Sequence, residues 1–156
     1  MSVRRKIRAA DEALGWVAYP EVPDPPSLDP SGHTAVFVVG SSRRGGVYAL
    51  EWVRREFPGE FRNCIFMNVR TVDAHSYGGG GDLKRLRRQA NEALTFFVNY
   101  CHYAGVAAKA YLSFGTDPIE ELTKLAEKIY QEFHTAFFHQ QAHLRKRQLV
   151  YSSTAQ

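Results

Sequence analysis

The chain is 156 residues long, 44% hydrophobic and 23% charged, with 20 Lys and Arg against 16 Asp and Glu for a formal net charge of +4. That is enough apolar material for one domain around one core, which excludes disorder along the whole chain. No stretch is long and apolar enough to cross a bilayer and no apolar signal region opens the sequence, so a soluble, cytoplasmic protein is expected.

Residues 1–32 read as a leader and a linker. From Ser2 to Leu14 a basic segment places Val3, Ile7, Ala10 and Leu14 at helical spacing, with Gly15 as a stop. Its apolar stripe is narrow, so such a helix needs a partner surface. From Tyr19 to Ser31, Pro20, Pro23, Pro25, Pro26 and Pro30 remove backbone donors and fix φ, predicting an extended linker outside the core.

Residues 33–140 alternate strand and helix signals. Thr34–Val39 is a short apolar run rich in β-branched residues, as in a strand buried on both faces. A loop from Gly40 to Gly46 leads to a helix ending at Phe57, with Val47, Leu50, Val53 and Phe57 inward and Pro58-Gly59 as its stop. Cys64–Val69 reads as a second buried strand. After a loop containing Gly78 to Gly81, Asp82 is a good cap for a long helix that keeps Leu83, Leu86, Ala90, Leu94, Phe97, Cys101 and Ala104 on one face until Gly105. The two cysteines, Cys64 and Cys101, fall in apolar stretches and read as buried free thiols.

Val106–Phe114 is a third strand. Asp117, Pro118 and Glu120 combine a cap, a first-turn proline and a capping-box carboxylate, and the helix they open buries Ile119, Leu122, Leu125, Ile129 and Phe133. Thr135–Phe138 is a fourth strand. Strands separated by helices imply parallel pairing and right-handed crossovers, hence a three-layer α/β domain. Residues 141–156 form a basic tail, in which Gln148–Ser152 is a candidate edge strand.

Basic residues cluster at Arg4, Arg5, Lys6 and Arg8, at Lys84, Arg85, Arg87 and Arg88, and at Arg145, Lys146 and Arg147. Such clusters meet phosphate or an anionic membrane surface, or simply form solvated helix faces and a charged tail.

The order of elements, with a Gly-Ser loop after the first strand and Gly115-Thr116-Asp117-Pro118 opening the last long helix, resembles the universal stress protein fold. A closer resemblance is to the soluble C-terminal domain of bacterial amino-acid permeases of the amino acid–polyamine–organocation transporter family. There a basic stretch and a proline-rich linker precede the first strand. The phrases Phe57-Pro58-Gly59-Glu60-Phe61-Arg62-Asn63 and Val69-Arg70-Thr71-Val72-Asp73 match that family around the second strand. The resemblance runs from about Val3 to about Phe138 and departs after it. It implies a parallel sheet of four strands, with room for a fifth, ordered 3-2-1-4(-5).

In such a sheet ligands bind at the carboxyl ends of the strands where the order reverses. That places a candidate anion or nucleotide crevice between Gly40, Ser41, Ser42 and Arg43 on one side and His139, Gln140 and Gln141 on the other. Loop amides and the dipole of the following helix favour an anion there. ATP phosphates are a poorer match. Gly40-x-x-x-x-Gly45 copies the start of a P-loop, but Gly46-Val47 stands where the lysine and the hydroxyl residue belong. The glycine run that nucleotide-binding stress proteins carry after the fourth strand is missing, and Gly40 stands about where their nucleoside-facing aspartate does. In the glycine loop, the Asp82 carboxylate would repel an anion.

His139 and His143 have a ligand spacing for a helix, but strand character upstream and the lack of a third ligand argue against a metal. No nucleophile elbow or His–carboxylate pair can be assigned, so no catalytic residue and no cofactor are expected. Phe96 and Phe97 read as stacking or core residues, and Tyr100 and Tyr103 as a partner or dimer surface. No nucleic-acid recognition motif is present. The resemblance thus implies a non-enzymatic regulatory or accessory domain at the inner face of the cell membrane. Arg4, Arg5, Lys6 and Arg8 would contact the membrane surface or a permease part, and the domain would form a homodimer or sense a small anionic ligand. The alternative is a soluble ATP or AMP sensor of the stress-protein kind.

Overall fold

A computed structural model describes residues 19–40, 42–72, 80–140 and 151–152. The leader segment, most of the glycine loop and most of the tail lie outside these residues.

The described chain runs β1 (Thr34–Val38), α1 (Arg43–Glu56), β2 (Asn63–Thr71), α2 (Gly80–Tyr103), β3 (Ala107–Gly115), α3 (Pro118–Glu132), β4 (Ala136–Gln140) and β5 (Tyr151–Ser152). The sheet order is β3-β2-β1-β4-β5. The first four strands are parallel, with Val36 of β1 level with Ile65 on one side and Phe138 on the other. The two-residue β5 pairs antiparallel with Phe137 and Phe138; of the edge strand expected at Gln148–Ser152, these two residues are the ones described. This is an α/β, Rossmann-like fold with β1 at its centre.

Alternation along the central strands feeds two cores. Ala35, Phe37, Cys64 and Phe66 point to one face, under Leu50 and Val53 of α1 and Leu94, Phe97 and Cys101 of α2. Val36, Ile65, Met67 and Tyr111 point to the other, under Leu125, Ile129 and Phe133. Every strand residue from Thr34 to Phe37 is therefore buried, which is why that run carries no polar side chain larger than threonine. Cys64 and Cys101 are buried and unlinked, as expected.

Four positions differ from the sequence reading, the first being Ala104, which is exposed and lies just past the end of α2 at Tyr103. Ile119 is 75% exposed and Phe57 is 42% exposed, although both continue an apolar helical spacing. Ile119 sits in the first turn of α3, and Phe57 is the C-terminal cap of α1. Helix α2 starts at Gly80, so Asp82 lies inside its first turn, where its charge complements the helix dipole, rather than at the cap.

No helix among the described residues is long and apolar enough to cross a membrane. Helix α2 has the length, at 24 residues, but its outer face is basic.

The proline linker is extended, with neither helix nor strand from Tyr19 to His33, yet it is fastened to the domain at three points. Tyr19 packs against Phe96, Tyr100 and Tyr103, and its carbonyl accepts from the Asn99 amide at 3.0 Å. Leu28 packs against the second core. Next to Leu28, Asp29 is held by fully buried Asn63 at the start of β2, which accepts from the Asp29 N–H at 2.8 Å and donates to the Asp29 carbonyl at 2.6 Å and the Thr34 hydroxyl at 2.8 Å.

Helix α3 is held to β3 by charge. The Glu132 carboxylate accepts from Tyr111 and from Lys109, and Glu121 accepts from Ser113. Hydrogen bonding to Tyr111, then to Lys109, holds Glu132 below the usual carboxylate range; the Ser113 hydroxyl and nearby Lys124 do the same for Glu121.

Two outcomes follow. Asn63→Leu leaves both Asp29 backbone groups without their buried partner and should cost about 2–4 kcal/mol in urea denaturation, with faster proteolysis between Pro20 and Asp29. Because Glu132 and Glu121 titrate lower in the folded chain than in the unfolded one, their contribution is present above the unfolded carboxylate value and fades as pH falls through the folded one. The urea midpoint should therefore drop on acidification below about pH 4.5, and Glu132→Gln should flatten that acid limb.

Candidate functional site

The sheet order reverses between β1 and β4, so the carboxyl ends of these two strands frame the crevice expected for a fold of this kind. At the end of β1, Val39 extends the ladder by donating to the Met67 carbonyl at 2.9 Å. Gly40 follows, exposed, and a side chain built on it meets no described atom within 4 Å. Neither crowding nor a left-handed backbone demands glycine there.

Ser42 is the cap of α1. Its hydroxyl accepts from the Gly45 N–H at 3.1 Å and its carbonyl from the Gly46 N–H at 3.2 Å. The hydroxyl proposed to face a ligand is thus committed to starting the helix, which puts the positive end of α1 at the crevice. Arg43 reaches the other way: its guanidinium lies 5.2 Å over the Phe96 ring of α2. His139 and Gln140, expected in a loop, are the last two residues of β4, level with Phe37 and Val38. Gly40 and the end of β4 are thus brought to adjacent strand ends, while Arg43 belongs to the gap between α1 and α2. Ser41, Gln141, Arg4, Arg5, Lys6 and Arg8 lie outside the described residues.

The P-loop comparison gains a physical reason. A Cβ on Gly46 would sit 2.2 Å from Cζ of Phe97, far inside contact distance. Phe97 is fully buried and stacks on Phe66, which stacks on Phe37. The ring cannot retreat without disturbing the core, so position 46 has room for glycine only. A phosphate-binding lysine cannot stand there.

One residue at this end was not singled out from the sequence. Asn68, 1% exposed, donates from Nδ2 to the Val39 carbonyl at 2.8 Å, and its Oδ1 has no hydrogen-bond partner among the described residues. A buried acceptor without a donor costs about 1–3 kcal/mol. The signal was available: asparagine interrupts the apolar run CIFMNV, and it is depleted in strands.

No group of three or more His, Cys, Asp or Glu converges on a metal-sized site among the described residues. His139 lies in β4 rather than on a helix, so the spacing to His143 does not place the two on one helical face. Tyr100 and Tyr103, read as a partner surface, contact the chain's own Tyr19. The Tyr100 hydroxyl also donates to Glu51 at 2.9 Å, and burial, then that carboxylate, push its pKa up to about 12.

Comparison with protein-family models, with curated proteins and with solved structures finds no match to this chain.

Gly46→Ala should lower stability by about 1–3 kcal/mol through overpacking against Phe97, read from urea denaturation. Gly46→Lys should be at least as damaging and should bring no heat of ATP binding in calorimetry.

Proposed function

We propose that this chain is a non-enzymatic regulatory or accessory domain of the universal stress protein-like kind, working in the cytoplasm at the inner face of the cell membrane as part of, or beside, an amino-acid permease. The observation that carries the reading is Asn63. It closes the phrase Phe57 to Asn63 on which the resemblance to permease domains rests, and it grips Asp29 of the proline linker by both backbone groups. Linker and α/β domain are therefore one mechanical unit. A leader anchored at a membrane through Arg4, Arg5, Lys6 and Arg8 would hold the domain in a set orientation rather than on a loose tether.

The second phrase supports the same reading. Val72 is buried and donates to the Gly115 carbonyl, tying the end of β2 to the Gly115–Pro118 turn. That turn then opens α3: the Asp117 carboxylate accepts from the Ile119 and Glu120 amides, and Pro118 occupies the first helical position. A side chain at Gly115 would meet Glu121 Cγ at 2.4 Å, so glycine lets that carboxylate lie across the strand end. In this role the domain self-associates as a homodimer or senses a small anion at the Gly40 crevice, and so alters transport.

A nucleotide-sensing stress protein is the second reading, favoured by the unpartnered Asn68 acceptor and by the capped start of α1 at the crevice. The Gly46–Phe97 contact weighs against it, since it removes the side chain that would grip phosphates.

Two measurements separate them. Titration calorimetry of the chain with ATP, ADP and AMP should stay silent; saturable micromolar binding would favour the nucleotide sensor. Deleting residues 33–140 from the transporter that carries or accompanies them should change amino-acid uptake or its regulation, and unchanged uptake would overturn the permease reading.

A further inference from the structure

Outside the switch-point crevice, a groove of about 680 Å³ runs between the start of α1 and the outer face of α2. Tyr19 and Phe96 give it an aromatic wall. Arg43, Lys84, Arg87 and Arg88 line it with positive charge, against the single carboxylate of Glu92. Among the described residues, none of these four cations is in an ion pair. Arg43 lies over Phe96 and Arg87 lies 5.3 Å over Phe114, contacts that orient a guanidinium without neutralising it.

The placement is unfavourable for the isolated domain. Arg43 is the first residue of α1, whose first turn holds no acid, and Lys84 follows the first turn of α2. Both sit towards the positive ends of their helix dipoles, where anions are preferred. Lys84 also repels Arg87 and Arg88 at i+3 and i+4. An anionic occupant reverses the sign of both terms.

The leader points to which anion. Tyr19 lines the groove and is pinned there by Asn99, so the first described residue of the linker lies at this face. Arg8 lies eleven residues upstream, within reach of about 40 Å for extended chain. The leader's own basic cluster cannot fill the groove, because the charges are alike. A surface that attracts the leader's cations attracts those of the groove by the same sign of charge. Tyr103, 58% exposed beside Tyr19, adds an amphipathic ring of the type found at membrane–water interfaces.

We infer that the groove between α1 and α2 docks the domain onto an anionic bilayer, with Arg43, Lys84, Arg87 and Arg88 receiving phospholipid phosphates. The inference rests on the membrane-facing reading of the leader and adds the face of the domain that lies against the bilayer.

The test is flotation of the full chain with vesicles of phosphatidylglycerol in phosphatidylcholine, against pure phosphatidylcholine. Binding should need the anionic lipid and weaken with salt. K84Q/R87Q/R88Q should lower the partition coefficient on the order of a hundredfold, with an unchanged melting temperature, while K84R/R87K/R88K should keep it. If the Gln variant floats like the parent and R4Q/R5Q/K6Q/R8Q does not, the groove is no docking surface and the leader reading stands. If only the groove variant is impaired, the docking face holds and the leader contact falls. A parent chain that ignores anionic vesicles overturns both. Saturation of the groove by micromolar inorganic phosphate, or tighter binding to a random single-stranded oligonucleotide than to vesicles, overturns the lipid assignment.

Discussion

Three phenylalanine rings set the distance between the sheet and its α1/α2 layer. Phe37 of β1 and Phe66 of β2 stack at 5.4 Å, and Phe97 of α2 continues the stack at 5.2 Å. Stacked rings are incompressible in a close-packed core, so whatever crosses above them must be thin. Helix α1 meets that constraint at Gly46, where even a methyl group would overlap Phe97. The same glycine occupies the place of a phosphate-gripping lysine in a P-loop. Packing thus decides chemistry here: the aromatic stack that closes the core closes off one way of holding a nucleotide.

The opposite end of the sheet shows the same economy with polar groups. Asn63 is buried because it must be, at the first position of a strand covered on both sides. Its amide is satisfied by the backbone of Asp29 and by Thr34, which turns an awkward core residue into a clamp for the linker. Asn68, five residues on, is the counter-example, since half of its amide is matched and half is not. A folded chain tolerates one such acceptor only where stability is otherwise sufficient, and this one lies towards the carboxyl ends of the parallel strands.

Most of the architecture could be read from the sequence because each central strand is a short apolar run bounded by turn residues, and each helix keeps one apolar face. The central place of Thr34–Val38 between two neighbours agrees with its burial on both faces. Boundary residues were less legible. Ile119 and Phe57 continue the helical spacing, but spacing does not say where the sheet beneath ends. The site was less legible still. Gly40 to Arg43 look like one loop motif in sequence, yet Ser42 turns inward as a cap and Arg43 reaches across to Phe96. Nor does any local pattern reveal that Tyr19, beside a proline, completes an aromatic cluster with residues about eighty positions later.

The two helical layers also treat charge differently, and the difference orients the molecule. On the α3 side, Glu120 and Glu121 share Lys124, Glu132 holds Lys109, and Lys128 lies over Tyr111. That face is electrically finished, and its carboxylates outnumber its cations along α3. On the α1/α2 side, Arg43, Lys84, Arg87 and Arg88 have aromatic rings or nothing for company. A surface carrying fixed anions would attract one face and repel the other, so long-range attraction alone would turn the domain before any contact forms. Tyr19 of the linker lies on the attracted face. Under the proposed anchoring, tether and field would favour the same orientation, which a tether attached on the α3 side would oppose.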